Sequence, residues 1–158
     1  MDKNVKILPE ALSEKSGNSK IYGSQKNDKL ASLHNRRLDH FDIEFSEFDT
    51  ISLITIDEFL EKNELSKIDF LKLDVEGHEL SVLKGAKQAL RERRIKRIQF
   101  EFGGCNIDSR TFFQDFWYLL SPDFEIYRIL QDGMVKLNNY SESYEIFKTV
   151  NYYAELRS

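Results

Sequence analysis

The sequence predicts an α/β fold: an open, mostly parallel sheet with covering helices. Three observations carry this expectation. From Thr55 onward, segments of helical period alternate with short apolar runs of strand length. The order strand, helix, strand, helix, strand is that of a sheet whose parallel neighbours are joined through helices. A length of 158 residues, with no internal repeat and no linker-like stretch, suits one domain.

The elements follow in order. Val5-Lys6-Ile7-Leu8 is apolar enough to open the chain as a strand, and Ser16-Gly17-Asn18-Ser19 is a turn signal before a second short strand at Lys20-Ile21-Tyr22. Ser24 to Asp39 is mostly polar and is expected to loop over the surface. Aromatic and β-branched residues return between Phe41 and Ile54 as one or two strands. Thr55-Ile56-Asp57-Glu58 has the form of a capping box, which starts a helix running to about Asn63. Ile68–Val75 is predicted as a strand, Glu79–Arg93 as a helix and Ile95–Phe102 as the next strand. Leu80, Leu83, Ala86 and Leu90 form one stripe on that helix.

Phe112, Phe113, Phe116, Trp117 and Leu120 fall on one helical face, a core stripe that Pro122 terminates. Glu125–Leu130 and roughly Val150–Leu156 are closing strands, with a hairpin at Asp132-Gly133.

Composition narrows the function classes. A formal charge of −4 gives no electrostatic reason to expect a nucleic-acid partner. The basic run Arg91 to Arg97 is expected to close a helix, where cations offset the dipole. A single cysteine, Cys105, rules out an internal disulfide and fits a reducing compartment. Met1 to Lys6 leads into no signal-type apolar region, and no apolar run approaches the roughly 18 residues of a membrane-spanning helix. A soluble, cytoplasmic protein with no membrane partner is expected.

The candidate chemistry lies on two neighbouring strands. In Phe70-Leu71-Lys72-Leu73-Asp74-Val75-Glu76, strict alternation puts Leu71, Leu73 and Val75 on one face and Lys72, Asp74 and Glu76 on the other. The next strand alternates Ile98, Phe100 and Phe102 against Gln99 and Glu101. With the two strands adjacent, Asp74 and Glu76 lie near Glu101, and Lys72 sits deeper, where it neutralises one carboxylate. Ligands of open α/β sheets bind outside the carboxyl ends of the strands. Gly77 allows a sharp turn there, and His78 brings an imidazole to the same rim. Asp74, Glu76, His78 and Glu101 are therefore the candidate catalytic residues. Lys72 and Glu79 read better as structural, Glu79 as the first-turn acid of the following helix.

Ile68 to Glu79, with Val82-Leu83-Lys84-Gly85-Ala86 after it, resembles the signature of FkbM-type methyltransferases. Thr55 to Leu60 and Gln99-Phe100-Glu101-Phe102 are similar to that family's flanking segments, and Pro9-Glu10-Ala11-Leu12-Ser13 resembles the stretch beside the adenine in the wider S-adenosylmethionine fold. The resemblance implies a Rossmann-like domain that moves a methyl group from S-adenosylmethionine to a hydroxyl, often on a sugar or natural product. It makes Glu10, Ala11 and Asp74 cofactor-binding candidates, and a carboxylate or imidazole the base for the hydroxyl proton. A divalent cation held by Asp74 and Glu76 is the less favoured variant. None of the seven glycines builds a G-x-G-type turn between strand and helix. The chain is accordingly expected to be N-terminally truncated relative to the family. Two other readings stand beside the enzyme: a non-catalytic module binding a carbohydrate or partner chain, prone to homo-oligomerise through exposed edges, and a metal-dependent hydrolase.

Overall fold

The computed structural model describes residues 4–24 and 30–158. In chain order the strands and helices are β1 (Ala11–Leu12), β2 (Gly17–Gly23), β3 (Glu47–Ile54), α1 (Ile56–Lys62), β4 (Leu71–Leu73), α2 (Glu79–Lys84), α3 (Lys87–Arg91), β5 (Arg97–Phe102), α4 (Cys105–Ser109), α5 (Phe113–Leu120), β6 (Phe124–Leu130), β7 (Gly133–Leu137) and β8 (Val150–Leu156). They form an α/β structure with two mixed sheets: a small one ordered β1-β3-β2 and a larger one ordered β4-β5-β8-β6-β7. Among the described residues no helix is long and apolar enough to cross a membrane.

The adjacency predicted for Ile68–Val75 and Ile95–Phe102 holds, with the first of them at the edge of the larger sheet. β4 pairs with β5 in parallel, Leu71 opposite Ile98 and Leu73 opposite Phe100, and an isolated Ile68–Ile95 bridge extends the ladder. The expectation of a mostly parallel sheet does not hold. β8 runs antiparallel to both β5 and β6, and β7 antiparallel to β6. The reason is local at one end: Leu130 faces Gly133 across a two-residue hairpin, and a hairpin can only make antiparallel neighbours. At the other end β8 returns from the distant C-terminus and inserts between β5 and β6, which therefore point the same way.

The predicted Glu79–Arg93 helix is broken at Gly85-Ala86 into α2 and α3. Gly85 lies so close to the N-terminal segment that a Cβ there would be 2.0 Å from the Ser13 carbonyl oxygen. Asp57 of α1 then caps the new helix start, its two carboxylate oxygens accepting the Gln88 and Ala89 N–H groups at 2.8 Å each. The capping box of α1 is half as predicted. Thr55 Oγ1 accepts the Glu58 N–H at 3.0 Å, while the Ser16 hydroxyl accepts the Thr55 N–H and donates to the Glu58 carboxylate.

The aromatic stripe is core. Phe113, Phe116, Trp117 and Leu120 are buried, and the Phe116 ring stacks on Phe100 of β5 at 4.8 Å. Phe112, at the cap, stays half exposed. Glu145 accepts the Phe113 and Gln114 N–H groups and so closes the start of α5. The basic run finds local partners, Arg93 with Asp123 and Arg97 with Glu155, while Arg94 donates to backbone carbonyls at Leu65 and Ser66.

Three N-terminal expectations change. Val5 to Leu8 is exposed and not a strand. The predicted turn at Ser16–Ser19 is the start of β2, which pairs with β3 along its whole length. The predicted surface loop, of which residues 25–29 lie outside the described residues, buries Ser32 and Leu38.

Candidate active site

The site is built where β4 ends. Alternation stops at Leu73, so Asp74 and Glu76 are not on one strand face. Asp74 is exposed and pairs with an equally exposed Lys72 at 2.7 Å; Lys72 is a surface partner, not a deep one. The chain then turns. Glu76 takes a left-handed φ of 51° and Gly77 a φ of 96°, so two consecutive residues sit where side chains are disfavoured. A Cβ on Gly77 would stand 2.8 Å from the Cys105 carbonyl oxygen, so the turn packs directly against the start of α4.

Buried groups wire the turn. Glu79, wholly inaccessible, accepts the Val75 N–H at 3.0 Å through Oε1, and among the described residues its Oε2 has no hydrogen-bond partner. Burial pushes its carboxyl up to about 7. Expected from sequence to be only a helix-dipole acid, it is the buried brace of the turn.

A second set of residues clasps the turn from outside. The Ser32 hydroxyl donates to the Glu76 carbonyl at 2.8 Å. Arg36 donates to the Glu76 carboxylate at 2.6 Å, and its Nε lies 3.7 Å from Asp108 of α4. His78 is held at both ring nitrogens, Nε2 with the Ser13 hydroxyl at 2.9 Å and Nδ1 with His34 Nε2 at 3.2 Å. Burial, then the neighbouring His34, lowers His78 to about 4, and burial lowers His34 as well. The His78 imidazole is neutral near pH 7.

Glu76 and Glu101 meet in a cleft of about 390 Å³, lined also by Arg36, Arg37, His40, Phe41, Cys105, Asp108 and Lys148. Glu101, half-buried on β5, has its carboxyl raised, first by burial and then by the charges of Asp74 and Glu76; Lys72 and Arg36 oppose this more weakly. Glu76 and Glu101 line one cleft, and the charge of Asp74, which does not line it, also acts on Glu101. The Cys105 thiol is buried and pushed up to about 12, which leaves it unreactive.

The cofactor candidates divide. Asp74 follows β4, exposed and paired with Lys72. Ala11 lies in β1, opposite Leu53 of β3. Glu10 pairs with Lys62 of α1 at 3.3 Å and lines a separate hollow with Leu8, Leu12, Ile54 and Phe59. Of the Pro9–Ser13 segment, Ser13 reaches the site, through His78. Among the described residues no group of three or more His, Cys, Asp and Glu is arranged to hold a metal ion. Ser32, His34, Arg36 and Asp108 were not anticipated. The first three lie in a polar stretch without periodicity, and Asp108 in a short helix after Gly103-Gly104 that carries no apolar stripe.

A cleft beyond the carboxyl ends of a parallel strand pair joined through helices is where α/β domains bind their ligands. The chain belongs to the methyltransferase FkbM domain family, whose pattern it matches over residues 4–150. It is also similar to the hexuronic acid methyltransferase AglP of Haloferax volcanii, at 43% identity over 54 residues. That stretch is 34% of this chain and 23% of the relative, so the chain matches less than a quarter of the relative's length. No solved structure matches the chain significantly.

Proposed function

We propose that this domain carries the acceptor side of an S-adenosylmethionine-dependent methyltransferase that methylates a hydroxyl group on a saccharide. The observation that carries the proposal is Glu101: a half-buried carboxylate with raised basicity, in the cleft beyond the carboxyl ends of β4 and β5. The β4–α2–α3–β5 unit is read as part of a Rossmann-like arrangement, in which that is the ligand side. Family membership supports methyl transfer, and the relative's hexuronic acid acceptor supports a sugar.

When bound, S-adenosylmethionine supplies an electrophilic methyl group. The residues present fit it at one end. A sulfonium cation suits a cleft bearing Glu76 and Glu101, whereas Glu10 is tied to Lys62 and faces a different hollow. On the acceptor side, Glu101 takes the hydroxyl proton as the oxygen gains its new bond, and the raised carboxyl makes it a better base than a solvated one. Glu76, fixed by Arg36, orients the acceptor. Asp74, exposed and paired with Lys72, acts on Glu101 through its charge. His78 has both nitrogens engaged within the fold and serves to hold the turn.

The test is Glu101→Gln, which keeps the shape and removes the basicity. Single-turnover methyl transfer to a sugar acceptor should fall by about 10²–10⁴ with the melting temperature unchanged or raised, since a half-buried charge is removed. A variant that folds and retains the wild-type rate overturns the assignment.

A further inference from the structure

We infer that the acceptor is an anionic saccharide, its charged oxygens read by Arg37 and Lys148 while its ring packs on Phe41. This rests on the acceptor-side reading of the cleft above and deepens it. Arg36 is taken up by two carboxylates, Glu76 and Asp108. Arg37 and Lys148 line the same cleft, and among the described residues neither the guanidinium nor the ammonium has an ion-pair or hydrogen-bond partner. The lining as a whole carries as many carboxylates as Arg and Lys side chains, so it is these two donors without partners, rather than a net positive field, that an oxyanion would engage. The guanidinium presents paired donors to a planar or tetrahedral oxyanion, and the ammonium adds a point charge.

Beside them stands an aromatic surface with no structural reason to be exposed. Phe41 is 66% accessible, yet it is not loosely held. It ends a 3₁₀ turn, Asp39–Phe41, whose N–H and closing bonds return to Leu38 and Asp39, and Leu38 itself is buried. The His40 ring lies 4.3 Å from it and also lines the cleft. A fixed, exposed aromatic face lining a polar cleft suits a ligand with one apolar C–H face and a polar rim, which describes a pyranose. The arrangement gives each part of such a ligand a partner: ring against Phe41, oxyanion against Arg37 and Lys148, reacting hydroxyl toward Glu101.

The oxyanion can be the carboxylate of a uronic acid or the phosphate of a sugar ester, and the test separates them. Binding of glucose, glucuronate and glucose 6-phosphate to the full chain is followed by ligand-observed NMR at fixed ionic strength, without cofactor. At least one charged sugar should bind about tenfold or more tightly than glucose; which of the two does so identifies the oxyanion. The double variant Arg37→Gln, Lys148→Gln, at two exposed positions, should erase that preference. Phe41→Ala should weaken all three sugars together. Equal binding of charged and neutral sugars, no binding of any, or a preference that survives the double variant overturns the inference. Methyl transfer to a neutral sugar as fast as to a charged one would remove this inference and leave the proposed function standing. Charge-selective binding with no methyl transfer in the presence of S-adenosylmethionine would do the reverse.

Discussion

Gly85→Ala separates two physical arguments that give opposite signs. Gly85 has φ −75° and ψ −4°, an ordinary right-handed conformation at the end of α2. By backbone entropy alone, alanine should stabilise the protein there by about 0.4–1 kcal/mol. The packing says otherwise. The added Cβ would meet the Ser13 carbonyl oxygen at 2.0 Å and its carbon at 3.0 Å, so the two backbones must part by about 1 Å to reach even the tightest real contact. Neither side is free to move. The Ser13 N–H donates to the Ile54 carbonyl and its hydroxyl is bonded to His78, while the Gly85 carbonyl accepts the Asp57 N–H. Overpacking of this kind costs about 1–3 kcal/mol, which leaves a net loss of roughly 1 kcal/mol after the entropic gain. For a chain of this size that lowers the melting temperature by about 2–4 °C. Thermal unfolding followed by circular dichroism measures it. A melting temperature equal to or above wild type would refute the packing argument.

Two further outcomes are expected. Glu76→Gln removes the charge that holds Arg36, a largely buried side chain, so stability should fall by roughly 1–3 kcal/mol and trypsin should cut after Arg36 or Arg37 faster than in wild type; unchanged cleavage would mean the 30–37 segment is held by other contacts. Glu79, raised from 4.5 to about 7, keeps a proton in the folded state that the unfolded chain releases, so its contribution falls as pH rises across that window, by up to roughly 3 kcal/mol. His78, lowered from 6.5 to about 4, works in the opposite sense, its contribution being lost as pH falls from 6.5 toward 4. Relative to wild type, Glu79→Gln should therefore be more favourable at pH 8 than at pH 5 in urea unfolding, and an equal difference at both pH values would count against the buried-carboxyl account.

What the sequence makes legible is what local pattern controls. Leu71, Leu73, Ile98, Phe100 and Phe102 alternate and are all buried, and the connection between them is helical, so a parallel β4–β5 pair follows. The spacing of Phe113, Phe116, Trp117 and Leu120, which recur on one helical face, likewise fixes α5 and its inward side. The antiparallel half is not legible in the same way. Val150–Leu156 is recognisable as a strand, but its place between β5 and β6 depends on competition among distant partners, and nothing in its own alternation encodes that choice. The break in the Glu79–Arg93 helix is likewise set by Ser13, far away in sequence, touching Gly85.

The site shows the same division at finer scale. Alternation along Lys72, Asp74 and Glu76 suggests one polar face, and the charges of Asp74 and Glu76 do both act on Glu101. The route to that proximity is different, because the extended strand has already ended. Gly77 is required by the Cys105 carbonyl; the turn it permits swings Glu76 away from the Lys72–Asp74 pair and toward Arg36. Because α4 packs on that turn, Asp108 arrives beside the same guanidinium. One buried arginine is thus occupied by two carboxylates from different elements. Glu101, the remaining acid of the cleft, has its carboxyl raised first by its own burial and then by the charges of Asp74 and Glu76, against which Lys72 and Arg36 act. The surroundings of this carboxylate are therefore set in part by a polar segment, Ser32 to Arg37, that sequence periodicity passes over.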